Sequence, residues 1–235
     1  MTLASAVLFD LDGTLIDPAG GITGGIEHAL RVMNLPVPPD EELAAMIGPK
    51  LADALLAHTE ATPDQVPELI DVYRTWYHHT GIGLSRPYPG IAGLLARLRA
   101  AGVRLAVATQ KPEPLARTVL ARHGLDTAFD VIRGSHPDET LMPGDPGYRS
   151  GKATIIAAAL AGLQDLARPA DDNSPSSAVM VGDRDQDVRG AHANGLDCIG
   201  VAWGFAPDGE LAAEGAAVVV HSTTELAQVL GHGDL

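Results

Sequence analysis

The chain has 235 residues, of which 46% are apolar and 4% aromatic, and its formal net charge is −14. That length can bury a full core, in one domain with a large insertion or in two domains, while the acidic balance excludes a broad nucleic-acid or anionic-membrane surface, since both need basic patches. The single cysteine, Cys198, excludes an intrachain disulfide and a thiolate zinc cluster, and with neither a signal peptide nor a stretch of transmembrane length in view the default expectation is a cytoplasmic protein.

The first apolar run, residues 5–10 (SAVLFD), reads as a strand buried on both faces, and it ends in Asp10-Leu11-Asp12-Gly13-Thr14. A buried strand tolerates no free carboxylate without a partner, and here two arrive together. Between about 18 and 88 no strand-like run occurs. The stretches GGITGGIEHALRVMNL, PDEELAAMIG, PKLADALLAHTE and TPDQVPELIDVYRTWYHHT carry helical periodicity, separated by Pro- and Gly-marked joints. We therefore expect an all-helical module over 18–87, inserted into a core made of 1–17 and 88–235. Its exits, DPAGG and GIGLSRPYPG, have the composition of hinges.

Past the insertion, apolar runs at 103–108, 129–132, 178–182, 197–202 and 216–220 alternate with helical segments at 91–102, 112–124, 151–163 and 185–195. This rhythm predicts an α/β fold, a Rossmann-like parallel sheet with helices on both faces. Gly102, Gly124 and Gly195 each close a helix just before a strand, as helix-terminating glycines do. The stretch RPADDNSPSS (168–177) reads as a polar loop.

In an open parallel sheet, ligands bind beyond the carboxyl ends of the strands, and that is where this sequence concentrates its chemistry. Asp10 and Asp12 end the first strand; Gly182-Asp183, with Asp185 and Asp187 behind, end the run 178–182. If the two strands are adjacent, their carboxylates converge and repel, and a hard divalent cation such as Mg²⁺ resolves the conflict. Each piece also has a plain structural reading. Asp-Gly makes turns, and Asp183 could cap the following helix. The strand VRLAVATQK ends in Thr109, Gln110 and Lys111, where a hydroxyl and backbone N–H groups can hold phosphate oxygens; Thr109 could equally cap the helix near Pro112. Lys152 opens a helix, where its charge opposes the helix dipole. It is either a functional cation or a solvated surface lysine.

These four pieces, in this order, resemble the haloacid dehalogenase superfamily of phosphohydrolases. Asp10 to Thr14 match its D-x-D-G-T motif, Thr109 its second motif, Lys152 its lone lysine, and Gly182, Asp183 and Asp187 its G-D-x-x-x-D motif. Within it the chain looks most like the phosphoglycolate phosphatase-like group, which includes some nucleotide 5′-phosphatases; IGPKL (47–51), VATQKP (107–112), GSHPDE (134–139) and VGDRDQDVRGAHANG (181–195) carry that likeness. IGPKL departs from the pattern at Lys50, and the segment HPDETLMPGDPGYRSGK is long before its lysine.

The resemblance implies a phosphatase acting on a small phosphate ester, phosphoglycolate or a nucleoside 5′-monophosphate, with no nucleic-acid polymer or membrane as partner. Asp10 would attack phosphorus and form an aspartyl-phosphate, and Asp12 would act as general acid and then base. Thr109 and Lys152 would hold the phosphoryl oxygens and their charge. Mg²⁺ would sit among Asp10, Asp12 (through its carbonyl), Asp183 and Asp187, the last orienting Lys152, serving a metal-bound water or lying on a plain helix surface. Gly13, Gln110, Lys50 and Arg149 are candidates for substrate binding. The helical module would be a lid, with Arg31, Arg74, His78 and His79 as further candidates and a solvated helix face as the alternative for each. Competing readings are a phospho-acceptor module without hydrolysis, a sugar phosphomutase and a phosphonate-cleaving enzyme using Lys50; the second Asp and the metal cluster disfavour a dehalogenase.

Overall fold

A computed structural model describes residues 4–138, 151–166 and 178–231. Strand β1 (Ala6–Phe9) lies at the centre of a six-stranded sheet, flanked by β4 (Arg104–Pro112) and β6 (Ala178–Gly182). The full order is β5-β4-β1-β6-β7-β8, with β5 Val131–Ser135, β7 Asp197–Val201 and β8 Val218–Val220, and every pairing is parallel. The chain builds outward from β1 to β5, then returns to the other side of β1. The carboxyl ends of β1, β4 and β6 therefore meet where the connections diverge, which is the crevice an open α/β sheet offers to ligands.

Alternation along β1 explains why it reads as a continuous apolar run. Val7 and Phe9 face one core layer, with Leu94, Leu98 and Val119 from helices α6 (Ile91–Ala100) and α7 (Glu113–Arg122). Ala6 and Leu8 face the other, with Ile155 and Val188 from α8 (Lys152–Asp165) and α9 (Asp185–His192). A strand covered by helices on both sides has no polar face to show. Two short helices, α10 (Glu210–Ala213) and α11 (Thr223–Val229), complete the C-terminal half. Gly102, Gly124 and Gly195 all adopt positive φ, as their positions after helices predict.

The insertion is helical: α1 (Gly21–Val32), α2 (Asp40–Ala45), α3 (Leu51–His58), α4 (Val66–Trp76), a π-helical turn Tyr77–Gly81 and α5 (Ile82–Leu84). The expectation of no strand between 18 and 88 fails at its last residues. β2 (Ile16–Asp17) pairs antiparallel with β3 (Arg86–Pro87), forming a ribbon where the chain leaves and re-enters the core. A strand of two residues is too short to show an alternating pattern, and Pro87 argues against one locally. The ribbon is fastened by an Arg86 Nε–Asp17 Oδ2 bond of 3.1 Å and by Tyr88 N donating to Leu15 O at 3.1 Å. The polar loop 168–177 and Arg149 lie outside the described residues. No helix among the described residues is long and apolar enough to cross a membrane.

Candidate active site

Asp10 follows β1 directly, its N–H donating to Val181 O of β6 at 2.9 Å. The chain then turns tightly: the N–H groups of Leu15 and Ile16 both donate to Leu11 O at 2.9 Å. Gly13 sits at φ +84, and a Cβ there would lie 2.1 Å from Asp183 Oδ2. The glycine is needed both for its conformation and for room. The turn brings the buried Thr14 hydroxyl to donate to Asp183 Oδ1 at 2.9 Å, while Phe205 N donates to Asp183 Oδ2 at 2.9 Å. Asp187 is fully buried, which removes the plain helix-surface reading. Its Oδ2 accepts from the N–H groups of Asp183 and Arg184 at 3.1 and 3.0 Å.

Lys152 is not a surface residue either. Its ammonium is buried 2.8 Å from Asp10 Oδ1 and 2.6 Å from Asp187 Oδ1, an ion pair with each. Burial alone would lower its pKa, but Asp10 and Asp187 outweigh that and hold it above the ordinary lysine range. Burial, then the charges of Asp187 and Asp10, push the Asp183 carboxyl well above its usual range. Burial raises Asp187 as well, with Lys152 pulling back.

On the other side of β1, strand β4 bulges. Ala108 pairs with Arg133 and Pro112 with Ser135, so Thr109, Gln110 and Lys111 face Gly134 alone. A Cβ on Gly134 would meet Lys111 O at 2.4 Å, so the glycine makes the bulge possible. Bulges re-aim side chains, often beside active sites. Here the bulge swings Lys111 onto Asp12, with Nζ 2.7 Å from Oδ2 and both side chains buried. The same ammonium lies 4.9 Å from the centroid of Tyr77, in the π-helical turn of the insertion. Thr109 Oγ1 accepts from Lys111 N at 3.2 Å, and Gln110 Nε2 donates to Gly48 O at 3.1 Å and Gln186 Oε1 at 2.8 Å.

A cavity of about 50 Å³ lies between the sheet end and the insertion, lined by Asp10, Asp12, Thr109 and Lys111 below and by Gly48 and Arg74 above. Sequence reasoning missed Lys111, Thr14 and Tyr77. Lys111 was visible only as the residue after Thr109 and Gln110, because a bulge is a property of two paired strands. Lys50 precedes α3; burial lowers its ammonium, and it stands beside the lining residues Gly48, Pro49 and Leu51 but is not among them. Arg31 pairs with Glu27 at 2.6 Å on an exposed face, and His78 and His79 are exposed, as the solvated alternative has it.

Asp10, Asp183 and Asp187 each turn one carboxylate oxygen to within 4.8 Å of the other two. Asp12 turns its Oδ2 to Lys111 and is not one of these three; the resemblance implies its backbone carbonyl as the ligand. Fully ionised, the four carboxylates (residues 10, 12, 183, 187) would face two ammonium groups (Lys111, Lys152) with a formal excess of two negative charges, part of the repulsion that raises Asp183. Oxygen donors with that excess fit a hard divalent cation.

The family model for haloacid dehalogenase-like hydrolases matches residues 7–201, spanning both ends of this site. The chain belongs to that family. Among its relatives is the tyrosine-protein kinase PtkA of Mycobacterium tuberculosis, 40% identical over 96% of this chain and 72% of its own. A 5′-nucleotidase of Pseudomonas aeruginosa is 33% identical (95% and 94% covered), and a plasmid-borne phosphoglycolate phosphatase of Cupriavidus necator 30% (96% and 93%). Among solved structures, a predicted phosphatase from Clostridium acetobutylicum superposes with a TM-score of 0.84 at 34% identity, over 97% of this chain and 99% of that one.

Proposed function

We propose that this haloacid dehalogenase-like hydrolase is a Mg²⁺-dependent phosphatase of small phosphate monoesters that works through an aspartyl-phosphate on Asp10. The observation that carries the reading is the convergence of Asp10, Asp183 and Asp187 within one ion's reach, with Lys152 2.8 Å from Asp10. A carboxylate needs no deprotonation to attack, so Asp10 is a competent nucleophile as it stands. Lys152 offsets charge on the incoming phosphoryl group, with Asp187 positioning it. Thr109 and the N–H groups of the bulge hold the remaining phosphoryl oxygens. Asp12, one residue beyond Leu11, donates a proton to the leaving alcohol and takes one from the attacking water in the second half-reaction.

Asp10, Asp183 and the Asp12 carbonyl would hold Mg²⁺, with Asp187 beside them; the ion supplies neutralisation between an anionic nucleophile and an anionic ester. The helical insertion, 18–87, serves as the lid that excludes water. The cavity in this closed arrangement favours a compact leaving group, as in phosphoglycolate, over a nucleoside. Gly13, Gln110 and Lys50 remain candidates for shaping the substrate site, with Gly13 acting through room for Asp183, Gln110 through the cap loop and Lys50 from the cavity's edge.

A second reading is favoured by the kinase relative and by the Lys111–Asp12 pair: the phosphoryl group passes to a protein hydroxyl instead of water. A hydrolysis screen of small esters with Mg²⁺, run beside Asp10→Asn, separates the two. Release of phosphate that depends on Asp10 is the expected result. A stable phosphoryl adduct without release would replace the hydrolase reading with the transfer one.

A further inference from the structure

The loop joining α2 to α3 is gripped from below by two core side chains, Arg184 and Gln110, both acting on its backbone. Arg184 follows Asp183 directly. Its Nη1 donates to Ile47 O at 2.6 Å and reaches Ala45 O at 3.4 Å, while its Nε bonds Glu210 Oε1 at 3.2 Å. Glu210 Oε1 also accepts from Asp185 N at 2.9 Å, which ties the carboxylate to the start of α9. The Arg184 residue is only 9% exposed. Beside it, Gln110 holds Gly48 O and is itself braced by Gln186. The loop fits this grip closely. Gly48 sits at φ +107, and a Cβ there would come 2.8 Å from Gln186 Nε2 and 3.2 Å from Arg184 Cγ.

From this geometry we infer that Arg184 is a positioning residue, the latch that holds the helical insertion closed over Asp10. A guanidinium can fork between a carboxylate and two carbonyls at once, which a lysine's single ammonium does less well. It is buried, so its bonds are charge-assisted and little weakened by water. Because every acceptor on the insertion is a main-chain carbonyl, the latch reads the position of the loop and not its side chains. Gly48 and Met46 of this loop line the cavity above Asp10.

The latch rests on the insertion acting as a lid, and its test reads closure without any substrate. Hydrogen exchange is followed across residues 43–54 in the whole chain with Arg184→Ala. The expected result is exchange about 10- to 100-fold faster there, with α1 and α8 at wild-type rates. The same variant should lower kcat/KM for a compact phosphate ester by a similar factor, and Arg184→Lys should recover part of both losses. Wild-type protection at 43–54 in a folded Arg184→Ala protein overturns the inference. If that variant does not fold, Glu210→Ala decides: faster local exchange supports the latch, and unchanged exchange rejects it. A wild type that hydrolyses no ester sinks the phosphatase reading alone, since the exchange result stands apart from it.

Discussion

Below the cavity, side chains are held from all directions: Asp183 is bonded by Thr14 and Phe205, Asp187 by two backbone N–H groups, and Lys152 is clasped between two carboxylates. Above it, the insertion meets the site through carbonyls of the 45–48 loop, the Tyr77 ring and Arg74. The lower part is fixed by strand register, and the upper part by these polar contacts together with apolar packing that joins Ile22, Leu43, Met46 and Tyr77 to the same cluster as Phe9. Under the proposed function, chemistry rests on the part fixed by strand register, and selection of the leaving group on the inserted part.

The sharpest way to break this contrast is Asp10→Asn, which keeps the shape and removes the nucleophile. It should cut phosphate release by at least ~10³-fold with the circular dichroism spectrum unchanged; residual turnover near wild type would show that Asp10 is not where chemistry starts. Next comes Lys152→Met. It strands Asp10 and Asp187 without their cation and should cost about 3–5 kcal/mol in urea unfolding, besides abolishing turnover. A loss under ~1 kcal/mol would mean the floor is not rigidly determined by that ion pair.

The carboxylate excess can be tested by pH. Asp183 has a raised folded pKa, so the metal-free fold binds more protons than the unfolded chain just above the ordinary carboxylate range. Its stability is greatest below the unfolded value and falls as pH rises through the folded one. Mg²⁺ binds the deprotonated site, so its stabilisation should grow from pH 5 to pH 8, reaching about 2.7 kcal/mol at a hundred times its Kd. Thermal melts with Mg²⁺ and with a chelator measure this, and equal shifts at both pH values would argue against an ion at Asp183.

Two smaller effects probe the boundary between the halves. Lys111→Met strands the Asp12 carboxylate and removes the contact with Tyr77, and should slow turnover about 10- to 100-fold while costing about 1–3 kcal/mol in unfolding, less than Lys152→Met. A large stability loss with normal turnover would make Lys111 a purely structural residue. Ser85→Ala, just before β3, removes a hydroxyl that donates to Ile82 O at 2.7 Å and meets His123 Nε2 at 3.0 Å. About 1 kcal/mol of stability and little activity should be lost; a marked change in KM would show that the hinge controls the lid.

Sequence alone disclosed what is repetitive or local. The six core strands were legible because burial on both faces leaves unbroken apolar runs, and Asp10, Asp183 and Lys152 because each stands at the end of such a run or opens the helix after one. What stayed hidden depends on pairing between distant segments. The β4 bulge exists only relative to β5, so neither the longer strand nor the turning of Lys111 toward Asp12 could be read from VATQKP. The full burial of Asp187 likewise needs Gly182, where a Cβ would stand 2.3 Å from the Asp187 carboxyl carbon. The role of Arg184 was masked by its neighbours, since a charged residue between two acidic ones reads as surface.

The β2–β3 ribbon has a further consequence. Both crossings of the insertion pass through one pair of two-residue strands, so the covalent route between sheet and helices is pinned at a single place. A graft of another length between Asp17 and Arg86 would still enter and leave side by side, and would take the register of the sheet as its footing provided that it also covered the apolar surface now met by Ile22 and Met46.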